Sequence, residues 1–337
     1  MSRMDRYNQP SVQENQQSME RRQQQSEHHH PPKKKRKKRH LFRNILLLLF
    51  LLLLVFGGYS YASYKKGLES AKNDKSIPQI KVDEFNGEAS SDGSVNILLL
   101  GSDSRGADQG RSDTIMVAHY SKNSKTPKLI SFMRDTYVNI PGVGYNKINA
   151  AYSYGGPDLV RKTLKNMFGI SIQYYAIVNF ESFPKVIDTL LPSGVKINAE
   201  KDLDLDQVFI KKGWQSMTGK QALQYARFRH DEEGDFGRVR RQQQVMTAIM
   251  KQAVSPKSLF TFAEAVGKVQ GYTTTDIPNS FYLSVAKDFV IGSVNPLEKM
   301  TVPVDDSWSY ENYTSVGSVL SIDELKNKLA VQKFVND

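Results

Sequence analysis

Val95-Asn96-Ile97-Leu98-Leu99-Leu100-Gly101-Ser102-Asp103 is a short apolar run that stops at a glycine and passes directly into polar, acidic sequence. An apolar run of this length, ended by a turn residue, suits a buried strand better than a helix. Thr114–Tyr120 and Leu129–Met133 have the same character, with β-branched and aromatic residues, and Lys-Thr-Pro-Lys (125–128) makes a turn between them. Helical spacing then appears at Leu159, Leu164 and Phe168, in a segment 158–168 entered through Gly155-Gly156-Pro157. Tyr174–Val178 is another strand, and 181–191, 218–227 and 238–254 are helices. Beyond Pro256 the pattern predicts helices near 258–269, 280–290 and 322–335, with a strand near 299–304. Such alternation predicts an α/β fold: a central mixed β-sheet flanked by helices on both faces.

Upstream of Val95 the character changes. Residues 63–94 are polar, contain Pro78, Gly87 and Ser90-Ser91-Asp92-Gly93, and read as a linker. Ile45–Ala62 is 18 residues without a charge, apolar on every side of a helix. That length spans a bilayer, so 44–62 is expected to be one transmembrane signal-anchor. Residues 1–43 hold 12 Lys/Arg against four Asp/Glu, which accounts for most of the formal net charge of +11. This tail is too poor in apolar residues to offset its ordering entropy, so it is expected to be disordered. A basic block before an apolar span stays in the cytoplasm. The expected topology is therefore single-pass type II in the cell membrane, with the C-terminal part outside. The tail's expected partner is the bacterial cytoplasmic membrane, whose lipid is anionic, and no direct nucleic-acid contact is expected.

The chain has no cysteine, which excludes disulfides, zinc–thiolate sites and thiol nucleophiles. There is no nucleotide P-loop, no G-x-S-x-G elbow and no H-E-x-x-H. What stands out is arginine. Residues 227–241 contain Arg227, Arg229, Arg238, Arg240 and Arg241, and no lysine. Guanidinium is a rigid, permanently charged fork suited to phosphate oxygens. From charge alone, a solvated, self-neutralising loop is an equal reading, because Asp231, Glu232, Glu233 and Asp235 share the window. Helix geometry tips the balance. Val239, Gln242 and Gln243 fall on the side of Met246, Ile249 and Met250, with Arg238 at its margin. A polar end on a core-facing stripe makes a floor for a charged ligand.

A second cluster joins Asp103, at a strand end, to Arg111 and Asp113 just before the next strand. Ligands of open α/β sheets bind at such ends. Two nearby carboxylates without histidine suit Mg²⁺, which bridges phosphates. Arg134-Asp135 lies at a third strand end, and Lys147 and Asn149 follow. Arginines, aspartates and Mg²⁺ together describe a site for phosphoryl chemistry.

At these residues the sequence resembles the LytR-CpsA-Psr (LCP) family. The matching stretches run in family order through 96–103, 111–116, 131–136, 147–152, 225–230 and 234–244. The resemblance covers an LCP catalytic domain over 95–254, and 255–337 is expected to be a C-terminal α/β extension packed on it. The resemblance implies a hydrophobic tunnel for a polyprenyl chain. It also implies a Mg²⁺-dependent phosphotransferase that moves a phosphate-linked glycopolymer, such as wall teichoic acid, from a polyprenyl-pyrophosphate carrier to peptidoglycan. Asp103 and Asp113 match the family's metal-associated aspartates. Arg111, Arg134, Arg227 and Arg229 match its pyrophosphate-binding arginines, and Asp235 and Arg238 its second charged motif. Gln243 matches its site glutamine, and Lys147 and Asn149 join the substrate-binding set. The family often has another basic residue where this chain has Val138. Two other readings use the same features: a polyprenyl-pyrophosphate hydrolase with water as acceptor, and a non-enzymatic, membrane-anchored regulator of envelope, resistance and virulence genes.

Overall fold

The structure is a computed structural model that describes residues 36–78, 80–82, 84–103, 110–121, 123–253, 261–282 and 294–337. The tail up to residue 35, with its expected disorder, lies outside these residues, as does most of the helix expected at 280–290. The chain divides into two compact units, Met1–Gly57 and Gly58–Asp337.

Helix α1, Arg36–Lys72, begins within the basic block and carries the apolar segment. In the first unit every large side chain from Leu46 to Val55 is exposed. An aqueous helix does not leave such a surface bare on all sides. The stretch Phe42–Lys72 is long and apolar enough to cross a membrane.

The second unit is built on β1 (Val95–Ser102), β2 (Ser112–Tyr120) and β3 (Pro127–Phe132). The hairpin β4 (Tyr137–Ile140) and β5 (Gly144–Lys147) follows, then α2 (Ala150–Phe168) and β6 (Tyr174–Asn179). Next come α3 (Ser182–Leu190), β7 (Val195–Ala199), β8 (Leu203–Leu205), β9 (Val208–Ile210) and β10 (Gly213–Met217). The helices α4 (Gly219–Arg227), α5 (Gly234–Gln252) and α6 (Phe262–Tyr272) lead to β11 (Thr274–Thr275) and β12 (Glu298–Val302). The hairpin β13 (Trp308–Tyr313) and β14 (Gly317–Ile322) precedes the last helix, α7 (Glu324–Asn336).

The central sheet has the order β11-β6-β1-β2-β3-β12. β1 pairs antiparallel with β2 and parallel with β6, and β12 runs parallel to β3, so the sheet is mixed as expected. Alternation sorts the faces. Leu98, Leu100, Ile115, Val117, Ile130 and Phe132 point to one side, where Val160, Leu164 and Phe168 of α2 complete the main core. The rings of Phe132 and Phe168 lie 5.1 Å apart. The opposite face takes α5, whose Gln242 and Gln243 donate to Thr114 and Ser131. Residues after 254 supply both edge strands, so the expected C-terminal extension is woven into the same sheet.

Two elements differ from the sequence reading. α2 starts at Ala150, eight residues before the expected 158, and kinks at Gly155-Gly156 before Pro157. Gly156 has φ +59°, so the chain bends where a side chain is disfavoured and the proline starts the second segment. Residues 63–94, read as a linker, are tied into the second unit. Tyr64 Oη donates to Gln270, and a Cβ on Gly267 would lie 2.2 Å from the Tyr64 carbonyl oxygen. Ile80, Val82 and Phe85 pack on the main core, and the Asn86 amide donates to Asp158 at 3.0 Å. Their polar composition concealed these anchors, because a strap needs only a few apolar contacts.

His119 on β2 is buried, with Nδ1–H donating to Asn96 Oδ1 at 2.9 Å. The tautomer follows from Asn96, whose Nδ2 donates to Ser90 and Ser171. Burial, reinforced by Lys128, depresses the imidazole from 6.5 to about 4. The unfolded chain therefore takes up this proton first. The stabilising contribution is complete above pH 6.5 and declines as pH falls toward 4. Urea unfolding at pH 7 and pH 5 should show this loss, and His119→Gln should shrink the difference; an unchanged difference would refute it.

Candidate functional site

β1 and β3 point the same way and β2 runs against them, so the ends of β1 and β3 and the start of β2 meet at one edge. β6, parallel to β1, ends there too and delivers Phe180. A cleft of about 500 Å³ opens at this edge. It is lined by Asp103, Asp113, Thr114, Phe180, Arg227, Arg229, Arg238 and Gln242. Glycine is required at 101, another lining residue, because a Cβ would sit 2.9 Å from that of Thr114 across the strand pair.

Local structure places each charge. The Asp103 amide donates to the Arg111 carbonyl at 3.3 Å, and the Arg111 amide returns to Asp103 Oδ1 at 2.7 Å, which closes the neck between β1 and β2. After β3 the chain turns, with Thr136 Oγ1 donating to the Met133 carbonyl at 2.6 Å, and this turn projects Arg134. Arg134 bridges three carboxylates: Asp113 at 2.7 Å, Asp235 at 3.0 Å and Asp135 at 3.6 Å. Burial alone would weaken its hold on the proton, but these partners outweigh that and raise its pKa.

α4 begins with a capping box between Thr218 and Gln221 and ends at Arg227. Arg227 lies 4.3 Å over the Phe180 ring and donates to Asp206 at 2.7 Å. α5 opens with Asp235 in its first turn, where a carboxylate suits the positive helix end. Asp235 Oδ2 accepts from Arg134 Nε and Arg238 Nη2, both at 3.0 Å. Arg238 is almost fully buried, and its Nε has no hydrogen-bond partner among the described residues. Burial pulls its pKa down, the nearby Arg134 and Arg229 pull the same way, and Asp235 opposes them. Arg238 thus brings an incompletely satisfied guanidinium to the cleft it lines, a charge that suits an anion.

The structure thus brings Asp103, Asp113, Arg227, Arg229 and Arg238 into one cleft, with Arg134 and Asp235 joined to it by ion pairs. Lys147 pairs with Asp135 at 3.0 Å, and the Asn149 amide donates to the Arg134 carbonyl at 3.3 Å, so both brace the Arg134 turn. The Arg111 side chain is exposed beside the cleft. Gln243 lies beneath the floor, its amide donating to Ser131, Thr301 and the Met300 carbonyl. Its neighbour Gln242 lines the cleft instead. Val138 is fully buried. Sequence reasoning missed Phe180 and Asp206; nothing in their local pattern marks them, because both reach Arg227 from distant elements.

Asp103 and Asp113 each engage Oδ1 and leave Oδ2 without a partner among the described residues. No group of three or more His, Asp or Glu able to hold a metal occurs among those residues. The pair suits a hard cation that takes one or two carboxylates and completes its shell with phosphate oxygens.

A sequence model of the LytR_cpsA_psr family matches residues 58–331. The chain is 44% identical over 280 residues to "Regulatory protein MsrR" of Staphylococcus aureus (strain COL), covering 83% of this chain and 85% of that protein. It is 34% identical over 241 residues to the "Polyisoprenyl-teichoic acid--peptidoglycan teichoic acid transferase TagU" of Bacillus mycoides (strain KBAB4), covering 71% and 73%. Among solved structures it resembles "TagT bound to LI-WTA", with TM-score 0.59 and 26% identity over 78% of this chain and 97% of that one.

Proposed function

The chain belongs to the LytR_cpsA_psr family, and from that premise we propose that it transfers a phosphate-linked anionic glycopolymer of the wall teichoic acid class from a polyprenyl-pyrophosphate carrier to peptidoglycan. The observation that carries this reading is the cleft that Arg227, Arg229 and Arg238 line together with Asp103 and Asp113. The teichoic acid transferase name of TagU and the LI-WTA bound to TagT support it. In the proposed step an acceptor hydroxyl oxygen bonds to the phosphorus nearest the polymer. The bond from that phosphorus to the bridging oxygen breaks, and polyprenyl phosphate leaves with the bonding pair. The hydroxyl proton passes to the leaving phosphate or to solvent. Arg227, Arg229 and Arg238 neutralise the charge that gathers on the leaving group. Asp235, pinned between two guanidiniums, orients Arg134 and Arg238. Mg²⁺ held by Asp103 and Asp113 would neutralise further phosphate charge. The basic block before the apolar span supports a topology with the N-terminus in the cytoplasm and the C-terminal part outside, where the acceptor lies.

A second reading follows from the MsrR name: a membrane-anchored regulator. One experiment separates the two. The full chain in detergent is incubated with a polyprenyl-pyrophosphate disaccharide, peptidoglycan fragments and Mg²⁺, and products are weighed by mass spectrometry. Arg227→Ala should slow transfer by about a hundredfold, the effect of removing one preorganised donor. Release of the phosphosugar without acceptor would favour a hydrolase. A cellular phenotype that survives Arg227→Ala but is lost on deleting 1–32 would favour the regulator.

A further inference from the structure

Phe236, Trp308 and Tyr310 form a continuous row of rings outside the cleft. Phe236 and Trp308 stack with centroids 5.0 Å apart, and Tyr310 meets Trp308 edge-on at 5.1 Å. The row is only partly covered: Phe236 and Trp308 are half-buried, and Tyr310 is 67% exposed. Its base is rigid. Leu320, opposite Tyr310 on the partner strand, is buried with Met133 and Val239, and Phe236 and Trp308 pack on that cluster.

The row shares its backbone with the arginine network. Phe236 follows Asp235, which holds Arg134 and Arg238. The Leu320 amide donates to the Asp135 carbonyl at 2.9 Å, so the β13–β14 hairpin is bonded to the turn that carries Arg134. The rings therefore begin where the ion pairs of the cleft end.

Charge limits what the rings can take. Residues 305–324 contain Asp305, Asp306, Glu311, Asp323 and Glu324 and no lysine or arginine. Lys326 donates to the Asp306 carbonyl, but the carboxylates outnumber it, so an anionic polymer or the anionic face of a membrane is disfavoured there. A neutral sugar chain is not. Ring faces carry negative potential and pack against the weakly positive C–H faces of pyranoses. The transfer also needs its second substrate beside the phosphorus.

We propose that Phe236, Trp308 and Tyr310 form an acceptor subsite that holds the glycan strand of peptidoglycan against the cleft. The assignment rests on the transferase reading for its meaning, but binding can be measured without turnover. The full chain in detergent is sedimented with peptidoglycan sacculi stripped of wall polymers. Tyr310→Ala should weaken sacculus binding about fivefold and Trp308→Ala about tenfold, while Trp308→Phe and Tyr310→Phe retain most of it. In turnover the acceptor KM should rise by the same factors, with the KM for the polyprenyl-pyrophosphate disaccharide unchanged. Tyr310 is exposed, so its truncation leaves the fold intact should the Trp308 variant misfold. Undiminished sacculus binding in Tyr310→Ala and in a folded Trp308→Ala overturns the subsite, as does a wild-type chain that does not bind sacculi. Binding to vesicles of anionic phospholipid that is lost in the same variants, with sacculus binding intact, would assign the rings to a membrane surface instead. Sacculus binding that depends on the rings, without any transfer, would keep the subsite and refute the transferase.

Discussion

Arg134→Ala is expected to cut kcat/KM for the pyrophosphate donor by about a thousandfold, within the range of removing an arginine that stabilises a transferring phosphate. The reason lies in the charges the guanidinium neutralises. It joins Asp113 at 2.7 Å and Asp235 at 3.0 Å, with Asp135 at 3.6 Å. Without it, three carboxylates stand near one another beside a cleft meant for an anion. Arg238 loses its orientation as well, because Asp235, its partner, is shared with Arg134. Arg134→Lys should recover only part of the activity. An ammonium keeps the charge but lacks the planar fork that reaches two carboxylates from Nε and Nη1. Steady-state kinetics over a donor range would measure this, and a near-native kcat/KM in Arg134→Ala would remove Arg134 from the machinery.

Arg241→Ala is expected to lower stability by about 3 kcal/mol, the low end of breaking a buried ion pair. Arg241 is fully buried. Nη1 donates to Asp231 at 3.0 Å and Nη2 to the Phe228 carbonyl at 2.7 Å, which clamps the loop that carries Arg229. Truncation leaves Asp231 with Lys201, at 3.0 Å, as its remaining ion-pair partner, which keeps the loss from being larger. Burial pushes the Asp231 carboxyl up, but hydrogen bonds from Lys201 and Arg241 outweigh this and hold it below 3.8. Its stabilising contribution is therefore present at neutral pH and fades as pH falls below that value. In the variant the folded-state carboxyl moves back toward 3.8, so the loss below that value should be smaller. Urea midpoints between pH 3 and pH 7 would show both effects. Arg241→Met with Asp231→Leu should regain part of the loss, since a packed apolar pair needs no partner. A midpoint unchanged in Arg241→Ala would show that the clamp contributes nothing.

The strands were legible because their information is local. Val95–Leu100 is an apolar run closed by glycine, and β1 forms there, as β2 and β3 form at the next two runs. The arginine helix was legible for the same reason: a 3.6-residue period turns Gln242 and Gln243 inward. Periodicity could not say which of the two opens on the cleft. Gln243 is taken by Ser131 and Thr301, whereas Gln242 reaches the cleft beside Thr114. The straps of 63–94 were invisible because a few contacts, such as Tyr64 to Gln270, anchor an otherwise polar segment.

The sequence by itself determined which residue types are present, the period of each element, and the apolar helix long enough to cross a membrane. Those properties depend on neighbours within a turn or two of the same chain. Only the tertiary structure decided that Arg134, 101 residues before Asp235, shares its carboxylate with Arg238, and that Phe180 and Asp206 hold Arg227. It alone put Trp308 and Tyr310 beside that network. Such contacts join residues far apart in sequence, and their energies appear only when the sheet order brings them within a few ångströms.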